Sequence, residues 1–546
     1  MVDDSELRRR LALLRDKIEA GEVKFAPHLA DDMSLSLEAV KYSPDGEIDL
    51  STVDSRVRSL ALGVAMMKQR SDIKDATSLR EIQKAYFDRI EHMFGDLFRL
   101  MKERDSHPQA VAWAVSRDSK SVSENYKYIP QFVEDLTDFW QTLSEGAKYH
   151  LQDLTGSKGV FGGDLFPSYT KNIASTSGLY LDTIVLTDPF MNCRRLFSLW
   201  DKQEAVRMFI KHGLNVLQYK DLATADFSPP IVAILPFDSS HDEESDEMLV
   251  DASLPDFFQH LELLFGRKFA SFEEAGEFAA RLDTPEKAVA EIINRERLLF
   301  DVEWTEPLPD QIKKAISDNG DIAGGQHPGI YILNQSFGRM RQANDILGKS
   351  RNLGGVPLLD APTSWQYLNW KMEYSATRFG HELLPLHMSR GLQSLGSTEF
   401  QWLGDIPPDA LIEMRRQGAL DEIRATLSSG VEEIAKVKPE NFFRTADKIG
   451  ENLEEAFAKH QEKIQELRKK KWTFLGKDIG TWLVVGSIEV GAAFSGLPVV
   501  GAAAFAADQL LDAPKLKDLP GKAKSVFKEA KDIQKTPMGL LFRHKK

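Results

Sequence analysis

Four short apolar runs end on a small side chain that carries an oxygen ligand. Thr183–Leu186 leads to Asp188, Ile231–Phe237 to Asp238, Ile330–Leu333 to Asn334 and Val356–Leu359 to Asp360. If each run is a strand of a parallel sheet, these residues gather at its carboxyl edge, where open α/β sheets bind ligands. Oxygen ligands converging there suit Mg²⁺ or Mn²⁺ and phosphoryl or phosphodiester chemistry. The enzyme so described is a metal-dependent hydrolase or nuclease with Asp188, Asp238 and Asp360 as its catalytic candidates. The competing reading makes each residue a turn former or helix cap. It is favoured, because Asp is a preferred cap and Asp-Pro a good turn.

Other residue sets recommend themselves less. Arg339, Arg341, Lys349 and Arg351 surround Gly348-Lys349-Ser350 and could meet phosphate as a modest positive patch. A phosphate-cradling loop, however, needs glycine where Ala343 stands and a strand directly before it. Gly348 is therefore expected to stop a helix, with the basic residues on its solvated face. GSKGVFGG at 156–163 shares only its glycines with such a loop and marks a domain boundary. His381 and His387 are six apart with Pro385 between them, which defeats a zinc-protease reading. No G-x-S-x-G elbow is present. Cys193 is the only cysteine, so neither an intramolecular disulfide nor a thiolate zinc site can form. It is expected at a helix start, where the dipole would lower its pKa, although a lone cysteine is more often a small buried hydrophobe. The acidic run 238–247 lacks the glycine of an EF-hand and reads as a solvated loop.

The elements that must position these residues follow from periodicity. Apolar spacings predict helices over 5–20, 52–70, 78–104 and 128–154, an N-terminal helical domain at 1–155. A central α/β domain is expected at 156–400, with a weak strand at Val216–Tyr219 and a helix from Cys193 to Lys211 closed by Gly213. Ile330–Leu333, a helix at 336–347 and Val356–Leu359 are expected to form one βαβ unit. Residues 401–475 read as a helical region with a long charged helix, and 476–546 as an apolar hairpin with a basic tail. The fold class is thus an α-rich α/β protein with a small, mostly parallel sheet and crossover helices.

A net charge of −14 argues against a surface coated for nucleic acid, and leaves only a local patch open. The N-terminus has no signal-like apolar core, so a cytoplasmic protein is expected, peripheral at the inner membrane where its C-terminus engages it. Ile479–Ala507 carries a single charge, Glu489, and Gly496-Leu497-Pro498 divides it into two short apolar segments. Lys469, Lys470 and Lys471 precede it, and the tail Lys515–Lys546 has ten Lys or Arg against three acids. Trp482, Leu483, Leu497, Val499 and Phe505 with those lysines are the candidates for contact with an anionic membrane or a protein partner. A Gly/Ala-packed hairpin inside a protein core is the soluble alternative. Under the membrane reading, a chain truncated before Lys477 is expected to stay folded.

Tyr180-Leu181-Asp182 with Thr187-Asp188-Pro189, and Met414-Arg415-Arg416 followed by Leu420 and Ile423-Arg424, resemble phrases in uncharacterised bacterial proteins of mobile-element and phage-defence neighbourhoods. The resemblance implies a bacterial, defensive setting and brings no catalytic residue with it. Three functional readings result: a non-enzymatic interaction or sensor protein first, the metal-dependent hydrolase second, a scaffold subunit of a larger complex third.

Overall fold

Thr183–Thr187 is β-branched, apolar and five residues long, and it forms a strand with every residue but the last buried. In the computed structural model it sits inside a four-stranded sheet. The structure describes residues 4–25, 27–43, 46–162, 172–237, 243–300, 304–319, 327–374, 383–394, 406–437, 443–469, 473–474, 477–478, 532 and 535–542.

The chain opens with helices α1 (Asp4–Glu19), α2 (Pro27–Glu38), α3 (Ser55–Ala76), α4 (Leu79–Glu103), α5 (Pro108–Ser116), α6 (Ser119–Tyr126) and α7 (Ile129–Asp153). Strand β1 (Lys158–Phe161), α8 (Ile173–Ser177), β2 (Thr183–Thr187), α9 (Pro189–Asn192), α10 (Leu196–Leu199), α11 (Lys202–Leu217), α12 (Lys220–Thr224) and β3 (Val232–Leu235) follow. Helices α13 (Glu243–Phe265), α14 (Phe272–Ala280), α15 (Pro285–Glu291), α16 (Leu308–Asn319) and α17 (Pro328–Asn352) lead to β4 (Val356–Leu358). Beyond it lie α18 (Pro362–Tyr374), α19 (Leu383–Ser394), α20 (Pro408–Arg416), α21 (Leu420–Ser428), α22 (Val431–Val437), α23 (Phe443–Lys469) and α24 (Pro537–Phe542).

Two compact units result. The first comprises residues 1–82 with 138–154, and the second 83–137 with the chain from 155 onward. In the first, Leu7, Leu11 and Leu14 of α1 pack on Val57 and Ala61 of α3, while Arg70 and Lys74 share Asp153. The second unit holds the sheet.

All four strands are parallel, in the order β3-β2-β1-β4. Parallel strands need helices on both faces, and each crossover here contains helices among its described residues. Ile184 and Val185 are fully buried, as are Val232, Ala233 and Ile234. Each large side chain so buried contributes about 1.5–3 kcal/mol. A second apolar layer of Phe94, Phe132, Phe190 and Phe209 interlocks by ring contacts at 4.8–5.9 Å. The open side of β3 is closed by a side chain: Gln83 Nε2 donates to Ile234 O at 2.9 Å, and Ile234 N donates to Gln83 Oε1 at 2.7 Å. A buried edge strand is thereby satisfied without a fifth strand.

The α-rich α/β class is as the periodicity predicts, and three of the expected strands are present. The fourth is not where it was expected. Ile330–Leu333 lies in α17, so Asn334 sits in a helix interior and not at a strand end. His327 caps that helix and Pro328 occupies its first turn. Tyr331, Ile332 and Leu333 belong to a buried face that continues through Ser336, Met340, Ala343, Ile346 and Ser350. The helical period over twenty-five residues outweighs one brief apolar run. The missing strand is β1, within the supposed boundary GSKGVFGG. Its Gly159 is needed for close approach, since a Cβ there would stand 2.4 Å from Leu181 Cδ1.

Other boundaries also move. Val216 and Leu217 end α11 and Tyr219 precedes α12, so no strand forms there, and Gly213 lies within α11. The segment from Cys193 to Lys211 is divided into α10 and α11, with Asp201 capping the latter through Glu204 N. Gly348 does not stop a helix, because α17 runs to Asn352. Glu243–Glu247, expected in the acidic loop, begin α13. Among the described residues no helix is long and apolar enough to cross a membrane. Asp238, Lys470, Lys471, Trp482, Leu483, Leu497, Val499 and Phe505 lie outside the described residues, as does the side chain of Lys469.

Candidate functional site

The strand order 3-2-1-4 reverses the direction of winding between β1 and β4. In an open parallel sheet that reversal opens a crevice beyond the carboxyl ends of the two strands. Asp360 stands at this place, half-buried, just after β4. The Leu359 carbonyl beside it accepts from Trp365 Nε1 and Gln393 Nε2, each at 2.7 Å, which holds the end of β4 between α18 and α19.

Two groups on or after α11 feel the charge of Asp360. Burial lowers the pKa of Lys211, with Arg207 adding to the effect, while Cys193, Glu204 and Asp360 oppose it. Burial raises the Tyr219 phenol, and Asp360 raises it further. Its hydroxyl accepts from Ile173 N at 3.1 Å.

Asp188 has a different role. It is fully buried after β2, and its Oδ1 accepts from Phe190 N at 2.8 Å and Met191 N at 3.3 Å. It is the cap of α9. Strand β1 separates β2 from β4, which places Asp188 and Asp360 about two strand spacings, roughly 9–10 Å, apart. Among the described residues no group of three or more His, Cys, Asp or Glu is placed to hold a metal ion. Three of the oxygen-bearing candidates are thus dispersed, Asp188 as a cap, Asp360 at a strand end and Asn334 in a helix interior, while Asp238 lies outside the described residues.

Cys193 is no activated thiol. It follows α9 as a C-cap, 1% exposed, with Sγ 3.6 Å from His212 Nε2. Burial pushes the thiol up to about 12 and His212 down to about 3. Both are neutral at pH 7, and they pack as one polar contact.

The basic candidates are strung along α17. Arg339 Nη1 donates to Ser364 Oγ at 3.3 Å. Lys349 pairs with Asp345 at 2.6 Å one turn earlier and lies over the Phe237 ring. Arg339 and Arg351 are about 18 Å apart along the axis at the helical rise, so the set is a row and not one cradle. His387 is buried with Nδ1 2.8 Å from Thr445 Oγ1. Deeper in the helical layer, Lys371 pairs with Asp256, which also accepts from Asn344 Nδ2 at 3.0 Å. That buried pair locks α13, α17 and α18 together. A groove of about 420 Å³ on α13 is lined by Pro255, Phe258, Leu263 and Phe269, and none of the sheet-edge residues lines it.

At the opposite, amino edge of the sheet lies a dense polar constellation that no single sequence motif marks. Asp182 accepts from Ser157 N at 2.7 Å and from Arg424 Nη1 at 2.7 Å. Arg424 Nε also donates to Leu179 O at 3.2 Å. Arg415 donates to Asp182 O at 2.5 Å and to Pro229 O at 2.7 Å. Gly156 makes room for this, with φ +97° and no space for a Cβ, which would stand 2.4 Å from Asp182 Oδ2. Burial raises the pKa of Asp182, but Arg424 and Ser157 outweigh it and hold the carboxyl below its usual range. Two arginines from α20 and α21 thus clasp the entrances of β2 and β3. The two motif groups of the bacterial resemblance are the two halves of this clasp. Their types were visible in the sequence, but 242 residues separate Asp182 from Arg424, and no local pattern joins them.

Comparison with protein-family models, with curated proteins and with solved structures finds no match. The functional reading rests on this geometry.

Proposed function

We propose that this chain is a helix-rich interaction or sensor protein, cytoplasmic and peripheral at the inner membrane. Its C-terminal region engages an anionic surface or a partner while its α/β unit receives the consequence. One observation carries the reading: Arg415 and Arg424 tie α20 and α21 to the entrances of β2 and β3. A displacement of the C-terminal helices is thereby felt at the sheet, because charge-assisted hydrogen bonds to buried groups do not yield gradually. The apolar segment Ile479–Ala507 and the basic tail supply the two signals that stable membrane association requires. The bacterial, defensive setting that the resemblance implies agrees with a sensor.

The test is co-sedimentation of the full chain with anionic and with neutral vesicles. Binding to the anionic vesicles alone, released by high salt, is the expected result. Equal recovery with both, or with neither, removes the membrane engagement.

A second reading, a divalent-metal hydrolase or nuclease, draws on Asp360 at the β1/β4 crevice. There Asp360→Asn keeps the shape and removes the charge. Loss of Mn²⁺ binding by calorimetry with an unchanged melting temperature favours the enzyme; no Mn²⁺ binding by the parent chain removes it.

A further inference from the structure

Helix α11 packs on both α5 and α6, and those two helices pack on each other. Side-chain contacts join their outer faces. Trp113 and Arg117 stand one turn apart at the end of α5, a spacing that brings two side chains together. The guanidinium carbon of Arg117 lies 5.2 Å from the centre of the Trp113 ring, and that of Arg207, from α11, lies 4.9 Å from it. Lys202, at the start of α11, places its Nζ 5.4 Å from the centre of the Tyr126 ring of α6. Trp113 itself is 40% exposed.

The cations on this face are not used up by the chain's own acids. Elsewhere Arg70 and Lys74 share Asp153, and Lys349 pairs with Asp345. The side chains of Arg117 and Lys202 are exposed and, among the described residues, make neither a hydrogen bond nor an ion pair. The ring beneath each one holds the cation in place and leaves its N–H groups to solvent. The neighbouring acids have other partners. Asp118 accepts from Ser121 N and Oγ, and Asp201 accepts from Glu204 N. Glu204 pairs with Arg207, and Glu124 lies 4.0 Å from Lys120. Residues 108–128 and 194–211 together carry eight Lys or Arg against four Asp or Glu, in a chain that has 69 against 83.

Arg117 and Lys202 are held over different rings on different helices, which spaces them for successive anions and not for one phosphate group. Spaced cations beside an exposed ring suit a chain that repeats both a phosphate and a flat base, since rings and guanidinium planes both stack bases. We propose that the α5/α6/α11 face binds single-stranded nucleic acid, with Arg117 and Lys202 on phosphates and a base stacked at Trp113. This ligand is independent of the membrane reading, which concerns the C-terminus.

Fluorescence anisotropy of labelled oligo-dT and oligo-U, titrated with the full chain over a range of salt, tests this directly. Binding of either oligomer is expected, with affinity falling as salt rises. Arg117→Gln and Lys202→Gln are each expected to reduce the slope of log K against log salt by about 0.7, the share of one phosphate contact on a single strand. Combined, they are expected to weaken binding about tenfold or more at low salt, as for other hydrogen bonds to charged groups. Trp113→Leu is expected to weaken it about fivefold or more with the slope unchanged, which marks lost stacking. Melting temperatures of the Arg117 and Lys202 variants should match the parent, because both side chains are exposed. Failure of the parent chain to bind either oligomer overturns the proposal. Binding that the doubly substituted chain retains in full also overturns it, because the nucleic acid then sits elsewhere. A phosphoserine peptide or anionic vesicles bound through Arg117 and Lys202, with neither oligomer bound, overturn it in favour of that ligand. Vesicle binding that survives both substitutions leaves the membrane reading standing whatever the oligomers do.

Discussion

Gln83 shows how much one side chain can decide. It supplies both a donor and an acceptor to Ile234 on the outer side of β3, and it is fully buried. Gln83→Leu keeps the volume and orphans two buried backbone groups. Each such group costs about 1–3 kcal/mol, so a loss of about 2–6 kcal/mol is expected in urea unfolding. His212 makes a different kind of prediction. Its folded pKa, held near 3 by burial, lies below the unfolded value, so the unfolded chain takes up a proton first as pH falls. Stability contributed by the neutral ring is complete above about pH 6.5 and drains away as pH falls toward 3, at about 1.4 kcal/mol per pH unit. His260, also held near 3 by burial, adds to the same trend. Unfolding free energies measured between pH 7.5 and 4 should show a shallower slope for His212→Gln than for the parent. An identical slope means His212 is not the group responsible.

At the scale of elements, the amino-edge clasp is where stability and the proposed coupling meet. Arg424→Ala leaves Asp182 half-buried with Ser157 as its remaining named donor. A cost of about 2 kcal/mol is expected, as for other hydrogen bonds to charged groups. Asp182 is ionised below its ordinary range, so its contribution is present above about pH 4 and is lost as pH falls further. Arg424→Lys should recover little of the loss, since an ammonium cannot reach both Asp182 Oδ1 and Leu179 O as the guanidinium fork does. Full recovery in thermal melts would mean that charge alone matters there. Helix α17 teaches the complementary lesson. GIYILN has strand-like composition, yet His327 and Pro328 start a helix just before it, and the buried face keeps helical spacing to Ser350. The capping signal is in the sequence, and it outweighs the one apolar run.

At the scale of the whole chain, α24 changes what truncation should do. Deleting 477–546 removes Leu540 and Leu541, buried in a helix that packs on α20, α21 and α23, as well as the basic tail. A lowered melting temperature with intact helical circular dichroism is expected, in place of an unaffected protein. A melt identical to that of the parent chain would mean that α24 adds nothing to stability. Charge and composition by themselves determined that the protein is acidic, rich in helix and built with parallel strands, because periodicity and β-branched runs act over a few residues. Thr183–Leu186, Ile231–Phe237 and Val356–Leu359 were legible for that reason. Tertiary structure alone decided strand order, and with it the distance between Asp188 and Asp360. It also placed β1 among glycines, brought Gln83 to β3, and joined Asp182 to Arg415 and Arg424. These are long-range pairings whose energies depend on burial and hydrogen-bond geometry, and neither exists until the helices have packed on the sheet.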